Sequence, residues 1–273
     1  MKKYNIKAVF FSPTGNTEKI VTKIAEEIAA SFDDEIETIN FTLPEARRTR
    51  WVFDVNTIVV FGLPVYAGRI PNKTLPAVKE NFAGNGAFAI PVVTFGNRSY
   101  DDALSELRDL LEANDFRTIA GAAVVGRHPF SDVLASGRPD ADDIDRLKGF
   151  SQDICYKLGK YNMHRQIEVK GVSPAKEYYC PKGVNGEATN FLKAKPKTNK
   201  VKCTKCKICA RVCPMGSIDS TDVSLVSGVC IKCHACVLSC PVNAKYFDDP
   251  AFLSHVAMLD SEYVRRVESD FFV

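Results

Sequence analysis

Ten cysteines occur in the 273 residues, and eight of them fall in two short stretches, CTKCKICARVCP (203–214) and CIKCHACVLSCP (230–241). The second stretch repeats the first at a displacement of 27 positions, cysteine for cysteine and proline for proline. A structural zinc ion takes four ligands, usually as two close pairs with a longer gap between them. Here three thiols stand at i, i+3 and i+6, with a fourth after three more residues. Three thiolates at that spacing suit one face of an iron–sulfur cube, where three irons each need one sulfur. The fourth is poorly placed to complete the same cube.

That spacing, ending in Cys-Pro, is the bacterial ferredoxin pattern, in which the fourth cysteine ligates the other cluster. Residues 201–247 resemble a two-cluster bacterial ferredoxin along their whole length. The resemblance implies two [4Fe–4S] clusters. Cys203, Cys206, Cys209 and Cys240 would hold one, and Cys230, Cys233, Cys236 and Cys213 the other. Zinc, or a three-iron form, is the competing occupant. Small residues beside the motifs (Ala210, Gly216, Ala235, Ala244) suit tight wrapping, with backbone N–H groups near sulfur. His234 lies between ligands with no slot left for it, so a surface position is expected. Cys155 reads as a buried inert thiol, and Cys180 is isolated.

A second constellation opens the chain. The apolar run YNIKAVFF (4–11) ends at Ser12-Pro13-Thr14-Gly15-Asn16-Thr17, and an amphipathic pattern follows with Ile20, Ile24 and Ile28 at fourfold spacing. Hydroxyls, an amide and a glycine at a helix N-terminus make an anion site, because free N–H groups and the helix dipole face the ligand. The loop matches neither G-x-G-x-x-G nor the Walker lysine pattern, which weakens dinucleotide and nucleoside triphosphate readings. A simple hydroxyl cap is the bland alternative.

Further apolar runs follow at EIETIN (35–40), TIVVFGL (57–63), AFAIPVVTF (87–95) and RTIAGAAVVG (117–126). Helical patterns separate them around 72–82, 101–115 and 144–158, with Ser99 and Asp102 as a capping box for the second. The alternation predicts an α/β fold, a doubly wound parallel sheet of five strands. In the order 2-1-3-4-5, ligands sit where strands 1 and 3 diverge, and flavodoxin-like folds seat FMN there. The loops Pro64-Val65-Tyr66-Ala67-Gly68-Arg69 and Gly96-Asn97-Arg98-Ser99-Tyr100 would gather with the hydroxyl loop around that crevice. Trp51 reads as a packing residue, Arg69 and Arg98 as rim charges, and His128 as a candidate proton donor.

Ser-Pro-Thr-Gly-Asn-Thr resembles the flavodoxin phosphate loop, and residues 1–160 resemble a flavodoxin domain. The whole is similar to flavodoxin-like domains fused to ferredoxins, a family found mainly in anaerobic bacteria. The resemblance implies phosphate contacts from Ser12, Thr14, Gly15, Asn16 and Thr17. It implies isoalloxazine contacts from Tyr66, Ala67, Gly68, Gly96, Asn97 and Tyr100, with Pro64, Val65, Thr94 and Phe95 completing the cofactor wall. The expected organisation is a flavodoxin-like domain over 1–160, a linker over 161–200, a small α+β ferredoxin domain over 201–248 and a helical tail over 249–273.

Charge is segregated. Residues 161–247 carry 14 Lys and Arg against 5 Asp and Glu, whereas the whole chain is only +3. Nucleic acid is one candidate partner for such a segment, but there is no helix-turn-helix signal and no aromatic stacking motif. Lysines 193, 195, 197, 200, 202, 205 and 207 suit instead the charge of the clusters, or acidic redox partners. No stretch approaches a membrane span, and the start is too short for a secretory signal, so a soluble cytoplasmic protein is expected. The leading expectation is a soluble electron carrier between FMN and the clusters, with no residue assigned to catalysis. A flavin-dependent reductase of a small organic acceptor, fed by its own ferredoxin domain, is the second.

Overall fold

A computed structural model describes residues 4–160 and 167–273. Its centre is a parallel sheet of β1 (Asn5–Phe10), β2 (Ile36–Asn40), β3 (Thr57–Pro64), β4 (Phe88–Phe95) and β5 (Gly121–Val125), ordered 2-1-3-4-5. Residues 117–118 extend the pairing along β4. The β3 and β4 runs are apolar almost without a break because both faces of a parallel sheet are covered. Alternation along β1 divides the core. Val9 and Phe11 belong to one layer, under α2 (Leu75–Asn81) and α3 (Ala103–Ala113). Ala8 and Phe10 belong to the other, under α1 (Asn16–Phe32) and α4 (Ala141–Gly159). Ile20, Ile24 and Ile28 are fully buried on α1, as their spacing predicts. At Gly62 a Cβ would come within 2.2 Å of the Val21 side chain, so α1 packs flat on β3 only with glycine there.

Two local expectations change. Ser99 and Asp102 form no capping box: Ser99 donates to Asp101, and the Asp102 carboxylate accepts from the N–H groups of Val172 and Lys176. The capping box present is Asp140–Asp143, at the start of α4. The final segment is helical only over α7 (Pro250–Glu262). It then runs back to the sheet, where β6 (Asp270–Phe272) pairs antiparallel with β5. This strand covers the β5 edge of the five parallel strands. Phe271 packs on Phe150 at 5.0 Å between ring centres.

The cysteine region holds two single-turn helices, α5 (Ile208–Arg211) and α6 (Ala235–Leu238), and a two-residue ladder between 197–198 and 245–246. Its own buried cluster is Cys209, Ile218, Val223 and Cys236. Aromatic rings join it to the rest. Phe130, from the loop after β5, lies 4.6 Å from the His234 ring and 5.0 Å from Phe252 of α7. The His234 ring stacks on Phe247 at 4.8 Å. His234 is therefore buried in this seam, not on the surface where its place between ligands suggested. Among the described residues no helix is long and apolar enough to cross a membrane.

Candidate functional site

At the carboxyl ends of β1, β3, β4 and β5 lies a crevice of about 590 Å³. Its floor begins at the N-terminus of α1, where Gly15 sits at φ +86. Thr14, Asn16 and Thr17 line the wall. The loop is tied in place around them: the Ser12 hydroxyl accepts the Glu18 N–H at 3.0 Å, Thr17 and Thr94 share a hydroxyl bond of 2.7 Å, and Asn16 donates to the Arg127 carbonyl at 2.8 Å. Ser12 is buried behind the crevice and acts there as a brace.

The second wall is a tight turn. Tyr66 and Arg69 exchange backbone bonds across Ala67 (φ +49) and Gly68 (φ +78). Both central residues are left-handed, as a type I′ turn requires. A Cβ on Gly68 would stand 2.0 Å from the Asp101 carboxylate. Pro64, Val65, Tyr66, Ala67, Gly68, Thr94, Phe95 and Gly96 all line the crevice. Burial, then the nearby Cys233 and Cys230, drive the Tyr66 phenol well above its ordinary range. Two expected contacts face elsewhere. Asn97 donates to the Arg265 carbonyl at 2.7 Å and accepts from Val267. Tyr100 is buried against Phe95, and its hydroxyl donates to Asp270 at 2.5 Å. The strap leading to β6 claims both, and nothing in their local sequence announces it.

Other lining residues come from segments that carried no motif. Tyr178, Tyr179, Pro181, Phe191 and Leu192 belong to the stretch read as a linker, and His255 and Leu259 to α7. Arg69 lies over the Tyr178 ring at 5.0 Å and Arg98 over the Tyr179 ring at 4.0 Å, so the rim arginines fasten this roof. Tyr179 N–H also bonds the Ala67 carbonyl at 2.8 Å. Among the described residues the lining has four cationic side chains, Lys73, Arg98, Arg127 and Lys232, and no carboxylate. His128 lies against Gly96, where a Cβ would meet its ring at 2.3 Å. Burial first, then His234, His255 and Arg98, lower its pKa to about 3. The Phe130 N–H donates to His128 Nδ1 at 3.2 Å, so the neutral ring carries its proton on Nε2.

The eight motif cysteines fall into two groups. Cys203, Cys206, Cys209 and Cys240 line one small cavity; Cys213, Cys230, Cys233 and Cys236 line another. The fourth cysteine of each stretch has crossed to the other's cavity. The backbone explains the wrap: Lys205 and Lys207 are left-handed at φ +58 and +62, and Lys232 and His234 repeat this at +55 and +62. Such turns aim successive N–H groups inward. Ala244 N–H approaches Cys240 Sγ at 3.1 Å, and Ser217 N–H approaches Cys213 Sγ at 3.4 Å. Burial pushes the Cys236 thiol up to about 12, with the charges of neighbouring thiols adding to the rise. A metal centre reverses that preference by taking the thiolate. Four soft sulfur donors around each cavity, with N–H groups aimed at sulfur, fit an iron–sulfur cube. Cys230 and Cys233 line the crevice as well as their own cavity.

A family profile for a 4Fe–4S dicluster domain matches residues 195–241. A search of curated proteins found no match. Among solved structures the chain is similar to a flavodoxin from the domain Archaea, at 14% identity and TM-score 0.39, covering 57% of this chain and 99% of that one. Flavodoxin 2 from Bacillus cereus aligns at 16% identity and TM-score 0.39, covering 56% and 99%. An NADH:FMN oxidoreductase, EMOB, in its apo form aligns at 19% identity and TM-score 0.42, covering 60% and 95%. The strand order and the crevice above, rather than these overall likenesses, carry the description of the sheet. The chain joins a sheet of flavodoxin-like strand order to a stretch matched by a 4Fe–4S dicluster profile, and that match supports a redox, electron-transfer role.

Proposed function

We propose that the protein transfers electrons between flavin mononucleotide in the crevice and two [4Fe–4S] clusters held by the crossed cysteine quartets. The observation that carries this reading is the double position of Cys230 and Cys233. A ring seated at that end of the crevice would lie against ligands of the second cluster. Flavin exchanges electrons in pairs or singly and a cube exchanges one, so the protein's task is to position, shield and tune them.

The residues divide that task. The N-terminus of α1, with Thr14, Asn16 and Thr17, would hold the phosphate through N–H and hydroxyl donors. Lys73 adds charge for an anionic ligand, as does Arg127, whose outer edge pairs with Asp132. Tyr66 and the turn at Ala67–Gly68 flank the ring, and Tyr178 and Tyr179 close over it. The exposed lysines near the first quartet suit acidic redox proteins as partners in solution. The test is spectral titration of the full chain reconstituted with iron, sulfide and FMN. Reduced clusters should bleach the flavin within one protein molecule, at a rate independent of protein concentration. Failure to bind FMN, or a rate proportional to concentration, would defeat this reading.

One feature favours turnover of a small acceptor as a second reading. The crevice is roofed by 178–192 and α7, and it holds a neutral histidine whose Nε2–H can donate a hydrogen bond to a polar group of an acceptor. A reductase saturates with a small organic acceptor and loses rate in His128→Asn. A carrier equilibrates with redox proteins and shows no such saturation.

A further inference from the structure

The two cysteine cavities are related by the 27-residue repeat, so their walls can be compared position by position. Ala244 corresponds to Ser217, and Lys207 to His234. At one buried position the repeat changes charge outright: Lys245 stands where the first stretch has Ile218. Both side chains are buried, at 3% and 6% exposure, and each lines one cavity. Lys245 lines the cavity of Cys203, Cys206, Cys209 and Cys240; Ile218 lines the other.

The Lys245 ammonium donates to the Val223 carbonyl at 2.5 Å, and among the described residues no carboxylate pairs with it. Burying an ammonium without an opposite charge is strongly unfavourable, so such a position implies a fixed negative neighbour. A cube carried on four thiolates is that negative neighbour. We infer that Lys245 is a buried counter-charge that makes the cluster of Cys203, Cys206, Cys209 and Cys240 easier to reduce than its companion. This rests on the two-cluster reading above.

The reason is Coulombic. Reduction adds one electron to a cube, and a cation fixed in a medium of low dielectric constant favours the added charge. Ile218 offers the companion cluster nothing comparable. The cations on that side, Arg47, Lys195 and Lys232, are all less buried than Lys245: Arg47 donates to the Thr42 and Pro214 carbonyls, Lys195 to the Val226 carbonyl and Lys232 to the Leu192 carbonyl. Cys206 is exposed, whereas Cys233 and Cys236 are buried. Electrons leaving the crevice through the inner cluster would therefore come to rest on the outer one, within reach of a partner.

The test is potentiometric titration with dithionite, followed by electron paramagnetic resonance, on the reconstituted full chain. Cys206→Ser marks the spectrum of the outer cluster. In the unaltered protein that cluster should take the first electron. Lys245→Gln keeps a hydrogen-bond donor without charge, and Lys245→Ile copies the first repeat. Each should lower the outer cluster's reduction equilibrium at least tenfold, which is 59 mV for a one-electron couple, and the inner cluster's by less. Lys245→Arg should restore most of it. An inner cluster reduced first in the unaltered protein would overturn the assignment even if no variant assembles. So would a Lys245→Gln protein with unchanged potentials, since a purely structural donor would survive that change. Iron and sulfide below the content of two cubes would refute the cluster reading itself, a distinct result.

Discussion

The sheet and the cysteine region are held together by opposite means. The sheet buries two continuous apolar layers and places its crevice at the strand ends, where loops can vary without touching either layer. The cysteine region's own apolar cluster is small, Cys209, Ile218, Val223 and Cys236, so half of it consists of its own proposed ligands. Such a region cannot offset its ordering entropy by apolar burial, and its fold must be coupled to what the thiols bind. One half has a fold that hosts a site. In the other the site is the fold.

Removing iron is the strongest way to break this contrast. Chelation should abolish amide protection across 195–247 while β3 and β4 stay protected in hydrogen exchange; equal protection in both regions after chelation would end the distinction. Next in size is Phe61→Ala, which empties a fully buried position of β3 and is expected to cost about 3–5 kcal/mol in urea unfolding of the sheet. It should leave the cluster spectrum unchanged at low urea.

Acidity gives a smaller, graded effect. His128 is held neutral down to about pH 3, with His234, His255 and Arg98 facing it, whereas the unfolded chain protonates near 6.5. Between those values the unfolded state binds more protons. Stability is therefore full above about pH 6.5 and falls as pH drops toward 3, by ~1.4 kcal/mol per unit for this one group. His128→Asn should flatten that slope, and an unchanged slope would refute the burial argument. Smallest is Ser12→Ala, which removes the brace on the Glu18 N–H. It should cost about 1 kcal/mol and weaken FMN more than riboflavin, measured by fluorescence titration.

Much of this was legible in the residues. Repeated cysteine spacing, fourfold isoleucines on α1 and unbroken apolar runs at β3 and β4 are local signals, because ligand geometry and backbone periodicity act over a few positions. The hydroxyl loop was readable for the same reason: a helix N-terminus needs its donors adjacent in sequence. The roof over the crevice was not. Tyr178, Tyr179 and Phe191 lie in a stretch without periodicity: arginine faces and a backbone bond from distant loops recruit the two tyrosines, and the rings of Phe252 and His255 on α7 hold Phe191. Asn97 and Tyr100 were lost to the crevice because a strap from the far end of the chain captures them. Lys245 was visible as a letter; its meaning needed burial, since a lysine in solvent tunes little and one beside buried sulfur acts at low dielectric. Chemistry written in short spacings was fixed by covalent order, and everything that depended on which distant surfaces meet was fixed by packing.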